Sequence, residues 1–224
     1  MFAGHIGAAF AIGRAERRVN IGMFIFAALL LDVALWLFVL LGWESVTIPA
    51  NFPTTHRPEF IFPYSHGLLA AVVCSALAGA AAFTWYRPLL KAATLRAAAL
   101  VAVVVFSHWL LDALVHVSEL PLVGEGSAKV GLALWQNMPV ALTAEAAMVV
   151  AGLCLFLPGS NLSRAKRLSL TALSLLILGF TVVGMTVAPP PPSVLAMAGS
   201  SLVALLVICV LTCWLGRLPN QRSA

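Results

Sequence analysis

The sequence predicts an all-α fold, a polytopic transmembrane helical bundle of six or seven spans. Three observations carry that reading. Of the 224 residues, 62% are hydrophobic and only 9% charged, whereas soluble domains carry about a quarter charged residues. Apolar runs of about 20 residues, the length that crosses a bilayer core, recur along the whole chain and leave no room for a separate soluble domain. The net charge of +5 is concentrated in short connections between those runs, which indicates topology rather than a nucleic-acid partner.

The helices follow in order. The first covers about residues 2–18 and is short for a span; Gly4, Ala8, Ala11 and Ala15 give it a narrow face suited to close packing. Arg14, Arg17 and Arg18 follow the apolar run instead of preceding it, so no removable signal peptide is expected. A second helix, about 20–43, contains one charge, Asp32. After a proline-rich polar loop carrying His56 and Arg57, a third runs over about 64–85 with Ser65 and His66 in its first turn. A fourth covers about 92–117, and a fifth, about 138–157, encloses Glu145. The sixth, about 168–187, ends at Pro189–Pro192, which cannot continue a helix. The seventh covers about 193–215, where Ala196, Ser200 and Ala204 form a small-residue ridge for packing within the chain or between copies. Residues 1–157 form a core unit by this reading, and 158–224 add two helices and a short tail.

Basic clusters at 14–18, 87–96, 164–167 and 217–222 fall in alternate connections. The positive-inside rule makes them cytoplasmic, places the C-terminus inside and sends the second helix outward. Seven spans result if the first helix crosses, and six plus a half-helix if it only dips. Cys74, Cys154, Cys209 and Cys213 all lie in apolar segments without a CxxC pair, so they read as packing residues and not as a disulfide framework.

His108, Asp112 and His116 follow one another at four-residue steps and share one helix face. Ionisable groups in hydrocarbon cost several kcal/mol unless paired or solvated. Asp32 stands about 18 Å above the cytoplasmic end of its helix, at the height of His108. His66 and His5 lie near helix starts, and Glu145 lies about 12 Å below an outer end. Five segments thus bring ionisable groups to the outer half of the membrane. Imidazole with carboxylate suits Zn²⁺ and other first-row divalent ions, and two carboxylates neutralise a dication. His116 reads as a solvated residue at the membrane surface, Glu145 as a partner for a neighbouring hydroxyl or as a site member, and His56 as plain loop.

His5, Leu30-Leu31-Asp32, Pro63-Tyr64-Ser65-His66-Gly67-Leu68-Leu69, Ser107-His108-Trp109-Leu110-Leu111-Asp112 and Leu120-Pro121-Leu122 together resemble the membrane-bound metal-dependent hydrolases, a bacterial inner-membrane family. The resemblance covers roughly residues 1–157. It departs from the family pattern at Ala34, Ile61 and Ser65, where the family has Asp, His and Thr; with fewer ligands the site would hold one ion rather than two, or none. The resemblance implies a metal site of His5, Asp32, His66, His108 and Asp112, with Asp32 and Asp112 also serving catalysis. It further implies zinc, or else manganese, as cofactor, a lipid or amphiphilic substrate reached through the membrane, and an inner-membrane location. Two other classes fit the residues: a transporter using the stripe as an ion relay, and a structural protein whose polar cluster locks helix packing. A homo-oligomer is compatible with each.

Overall fold

The computed structural model describes residues 1–217, so Arg222 of the last basic cluster lies outside the described residues. Helices make up 71% of the structure with almost no sheet, and the fold is all-α. The helices are α1 (Phe2–Gly13), α2 (Ile21–Ala28), α3 (Leu30–Leu40), the single turn α4 (Phe52–Thr55), α5 (Leu68–Leu90), α6 (Thr94–Val115), α7 (Met138–Phe156), α8 (Arg164–Thr186) and α9 (Val194–Leu215). Two short antiparallel ribbons sit in the loops. One pairs β1 (Ser45–Thr47) with β2 (Glu59–Ile61), the other β3 (Leu120–Pro121) with β4 (Lys129–Val130).

Among the described residues, four stretches are long and apolar enough to cross a membrane, or five if the bent pair α2–α3 forms one crossing. That count is lower than the six or seven expected, for two reasons. With 12 residues, α1 is about 18 Å long and falls short of a hydrocarbon core of about 30 Å. The 48-residue stretch Leu68–Val115 counts once, although it turns back at Lys91, whose φ is 47°. Its halves α5 and α6 form the most extensive helix pair in the molecule, and Thr94 Oγ1 closes the turn on the Tyr86 carbonyl at 3.3 Å.

A helix that is apolar all round belongs in an interior, and α1 is the central helix of the bundle. It packs mainly on α7 and also touches α2, α6 and α8. The close face expected at Gly4, Ala8, Ala11 and Ala15 is displaced to Gly7. A Cβ on Gly7 would stand 2.5 Å from the Met148 backbone, and one on Gly152 would stand 2.3 Å from the Gly7 carbonyl oxygen. Backbone meets backbone at this crossing, which only glycine permits.

The expected second helix is broken. Its halves α2 and α3 meet at Leu29 with a bend of 49°, with neither glycine nor proline at the break. The four basic clusters converge at one end of the bundle. There the Arg96 guanidinium donates to the Ala15 carbonyl, the Lys166 ammonium to the Arg217 carbonyl, and the Asn20 amide to the Cys213 carbonyl at 2.8 Å. Glu16 is buried at this end, and its hydrogen bonds from the Arg18 guanidinium hold its carboxyl below the ordinary carboxylate range. At the opposite end the loops interlock: Leu69 N–H donates to the Leu122 carbonyl at 3.0 Å, and His56 Nδ1 bonds the Ala188 carbonyl at 3.0 Å. The ionisable cluster lies toward that second end.

Candidate metal centre

Each element delivers its side chain for a local reason. His66 precedes α5, two residues before its first turn, and not within that turn as the sequence suggested. Its position is fixed by Glu44, at the far end of the α3 connection. Glu44 Oε1 accepts the amides of Tyr64 and Ser65, each at 2.8 Å, and Oε2 accepts the Ser65 hydroxyl at 2.7 Å. His108 comes from the middle of α6, and its Nδ1 bonds the Ala28 carbonyl at 2.6 Å. In an unbroken helix that carbonyl would take the amide four residues on; the break at Leu29 turns it toward His108 instead. Asp32 stands in the first turn of α3 just past the break, and Asp112 follows His108 by one turn of α6.

These groups converge tightly. Asp112 Oδ2 lies 3.0 Å from His108 Nε2 and 3.4 Å from His66 Nε2. Asp32 Oδ1 lies 3.6 Å from His66 Nε2 and 3.7 Å from His108 Nε2. The two Nε2 atoms are 3.2 Å apart. His5 stacks on His108 with ring centroids 3.8 Å apart, and its Nε2 reaches Asp112 Oδ1 at 3.2 Å. That oxygen also accepts from the Met1 amino group at 2.7 Å. His5, His66, His108 and Asp112 are buried, and Asp32 is partly open.

The hydrogen-bond network assigns the tautomers. The Ala28 carbonyl can only accept, so His108 Nδ1 carries the hydrogen. The Ser65 hydroxyl is spent on Glu44, so it accepts from His66 Nδ1, 2.8 Å away. In the neutral imidazoles both Nε2 atoms then direct lone pairs at each other and at two carboxylate oxygens. These facing acceptors, three of them buried and Asp32 partly open, are reconciled only by a proton or a metal cation between them. Ligands held tetrahedrally at about 2.0–2.2 Å from a small ion stand about 3.3–3.6 Å apart, and the separations above bracket that value. The group could hold a metal ion. Two overlapping ligand sets meet the distance requirement, His66–His108–Asp112 and His5–Asp32–His108, with His108 common to both.

The structure therefore brings together all five residues His5, Asp32, His66, His108 and Asp112. It relocates three others. His116 is buried, not solvated: it is 5% exposed, its Nε2 lies 4.0 Å from Asp112 Oδ1, and its Nδ1 lies 2.6 Å from Glu119. The loop over residues 118–137 covers it through Trp135, whose ring lies 4.2 Å away. Glu145 bonds no hydroxyl; its Oε2 accepts the Ala3 and Gly4 amides at 2.8 and 3.1 Å, satisfying donors that the first turn of a helix leaves open. His56 is half-buried and tied to the α8–α9 connection through Ala188. Glu44, Glu119 and Trp135 were not legible as site residues. Glu44 had one available signal: it is the acid just past an apolar run, followed by a Ser-His pair that needs an anchor.

The histidine orienters give a direct test. Metal-bound histidines rely on the acceptor at their second nitrogen, and losing such a partner costs about 10–100-fold in affinity. Glu44→Gln and Ser65→Ala are expected to weaken metal binding by that factor, measured by competition with a chromogenic chelator, while the protein stays folded. Unchanged affinity in both variants would show that His66 is held by other means.

A cavity of about 360 Å³ adjoins the cluster. Asp32, His66, Asp112, His116 and Glu145 form a polar wall, His56 and Arg57 of the β1–β2 loop add two more polar side chains, and the rest is mainly aromatic and aliphatic, with Thr181 and Ser201 on α8 and α9. No known protein family matches the chain, and neither do the curated proteins or the solved structures.

Proposed function

We propose that this is an integral-membrane, metal-dependent hydrolase that acts on a lipid or another amphiphile. One observation carries the reading: imidazole nitrogens and carboxylate oxygens from three separate segments come within 3.0–3.7 Å of one another, in two overlapping three-residue sets, beside a largely apolar cavity. Zinc suits a donor set of imidazoles and carboxylates, with manganese as the second candidate. A bound ion of this kind lowers the pKa of water and polarises a substrate carbonyl or phosphoryl oxygen.

The chain's own residues account for the rest. Asp32, His66, His108 and Asp112 hold the ion, and His5 braces Asp112 and His108 from the buried side. Asp32 is the ligand that opens to the cavity, so its free oxygen is placed to take a proton from water. His116 adds a second proton-handling group, because Glu119 fixes its Nδ1 and leaves its Nε2 directed at Asp112 Oδ1 across 4.0 Å. The aromatic rings of Phe60 and Phe62, both packed against His116, screen the cluster from water. The likeness to the bacterial membrane-bound hydrolases supports the same reading. Taking α5 and α6 as separate crossings gives six spans with α1 as a buried half-helix, and the convergence of the basic clusters supports a cytoplasmic face at that end.

The test is hydrolysis of amphiphilic esters and phosphoesters by the protein purified in mild detergent. Activity is expected to vanish with a chelator and return with zinc or manganese. Protein that carries no metal after mild purification, and gains no activity on adding it, would refute the proposal.

A further inference from the structure

Arg57 stands apart from the other basic residues. Of the 12 Lys and Arg among the described residues, ten belong to the four clusters at the opposite end, and Arg57 and Lys129 do not. Lys129 is paired with Glu125. Arg57 is half-buried in the wall of the cavity beside the cluster, and it makes no hydrogen bond or ion pair among the described residues. Its place is fixed, because His56 adopts a left-handed conformation (φ 49°) and is bonded to the Ala188 carbonyl. That contact pins the loop over the α8–α9 connection. A half-buried guanidinium that no protein group satisfies is open to an anionic ligand. Its planar fork matches a phosphate group better than any other common anion except a carboxylate.

The far wall of the same cavity is made by α8 and α9. They are consecutive in sequence but touch little; α9 packs on α2 and α3, and α8 on α7 and α1. Phe180, Met185, Met197 and Leu205 line the space between them. Gly184, also in that lining, has nothing within 4 Å of where a Cβ would stand. The side chains that line this space are mainly apolar, with Thr181 and Ser201 among them.

We infer that the cavity binds a phosphate-bearing amphiphile, with its anionic group on Arg57 and its hydrocarbon chain leaving between α8 and α9. This deepens the hydrolase reading and rests on it for its consequence, since it makes the substrate an anionic lipid and not a neutral one. The volume, about 360 Å³, is at the lower end of ligand sites, which run to about 1,000 Å³; it fits a headgroup and the start of a chain, with the remainder in the gap.

The experiment titrates the purified full chain, in maltoside micelles, with dodecyl phosphate, dodecyltrimethylammonium or inorganic phosphate. Fluorescence reports binding, because Trp36 and Trp135 line the cavity. Dodecyl phosphate is expected to saturate at a mole fraction about tenfold below the cationic chain, the factor that one charge-assisted pair supplies. Arg57→Gln should abolish that difference and Arg57→Lys retain part of it, with melting temperature unchanged. Gly184→Phe should weaken dodecyl phosphate while leaving metal content intact. Equal binding of both chains, or an unaltered preference in Arg57→Gln, would overturn the inference. Inorganic phosphate binding as tightly as dodecyl phosphate would remove the chain from it. Metal content of the same sample separates the two readings. Charge-blind binding by metal-loaded protein sinks this inference alone, whereas a retained preference in protein that never takes metal sinks the hydrolase reading alone.

Discussion

Asp112→Asn is expected to strip the protein of metal while leaving it folded. The asparagine keeps the shape of the side chain, yet it removes the charge that faces His108 and His66 at 3.0 and 3.4 Å and His5 at 3.2 Å. Losing an outer partner of a metal ligand costs about 10–100-fold in affinity; losing a charged ligand shared by three imidazoles should exceed that range. Elemental analysis of the detergent-purified protein should fall from near one ion per chain to below about a tenth of that. His108→Ala should do the same, since His108 belongs to both ligand sets. A wild-type protein without metal, or an Asp112→Asn variant with full occupancy, would end the metal-centre reading and leave a hydrogen-bonded network in its place.

Gly7→Ala is the second substitution with a large expected effect, and it acts on the scaffold. The added methyl would press on the Met148 backbone from 2.5 Å, and a main-chain atom cannot rotate out of the way. Overpacking of this kind costs about 3 kcal/mol. Thermal unfolding in detergent should show a clearly lowered midpoint. Metal content should fall with it, because His5 lies two residues away on α1. Gly199→Ala is the matched control: nothing lies within 4 Å of a Cβ there, so its midpoint should stay at the wild-type value. Equal midpoints for Gly7→Ala and Gly199→Ala would mean that α1 and α7 are not locked at this crossing.

The sequence made the cluster legible through chemistry and depth. Charged groups are so costly in hydrocarbon that Asp32, His108 and Asp112 had to face something polar, and helical rise alone put Asp32 and His108 at one height with Asp112 a turn above. The same reasoning failed at the edges. His116 looked solvated because periodicity describes a helix and not the loop that covers its end, and Trp135 lies 19 residues downstream. Glu145 looked like a partner for a hydroxyl because the open amides of α1 become visible only once α1 is known to start beside α7. The break at Leu29 carried no signal of its own. The residues around it are good helix formers, and the bend is maintained by tertiary contact with α6. Span counting also suffered, since a 12-residue buried helix and a hairpin joined through a tight turn both confuse a rule built on length.

The bend at Leu29 makes α2–α3 more than a positioning device. The Ala28 carbonyl is available to His108 only while the helix stays bent, and His108 presents its Nε2 to the centre only while that carbonyl holds its other nitrogen. A metal taken up at the centre would therefore favour the bent form, and straightening the helix would loosen that metal by the same free energy. The junction would then register at the backbone, a helix away, whether the centre is loaded.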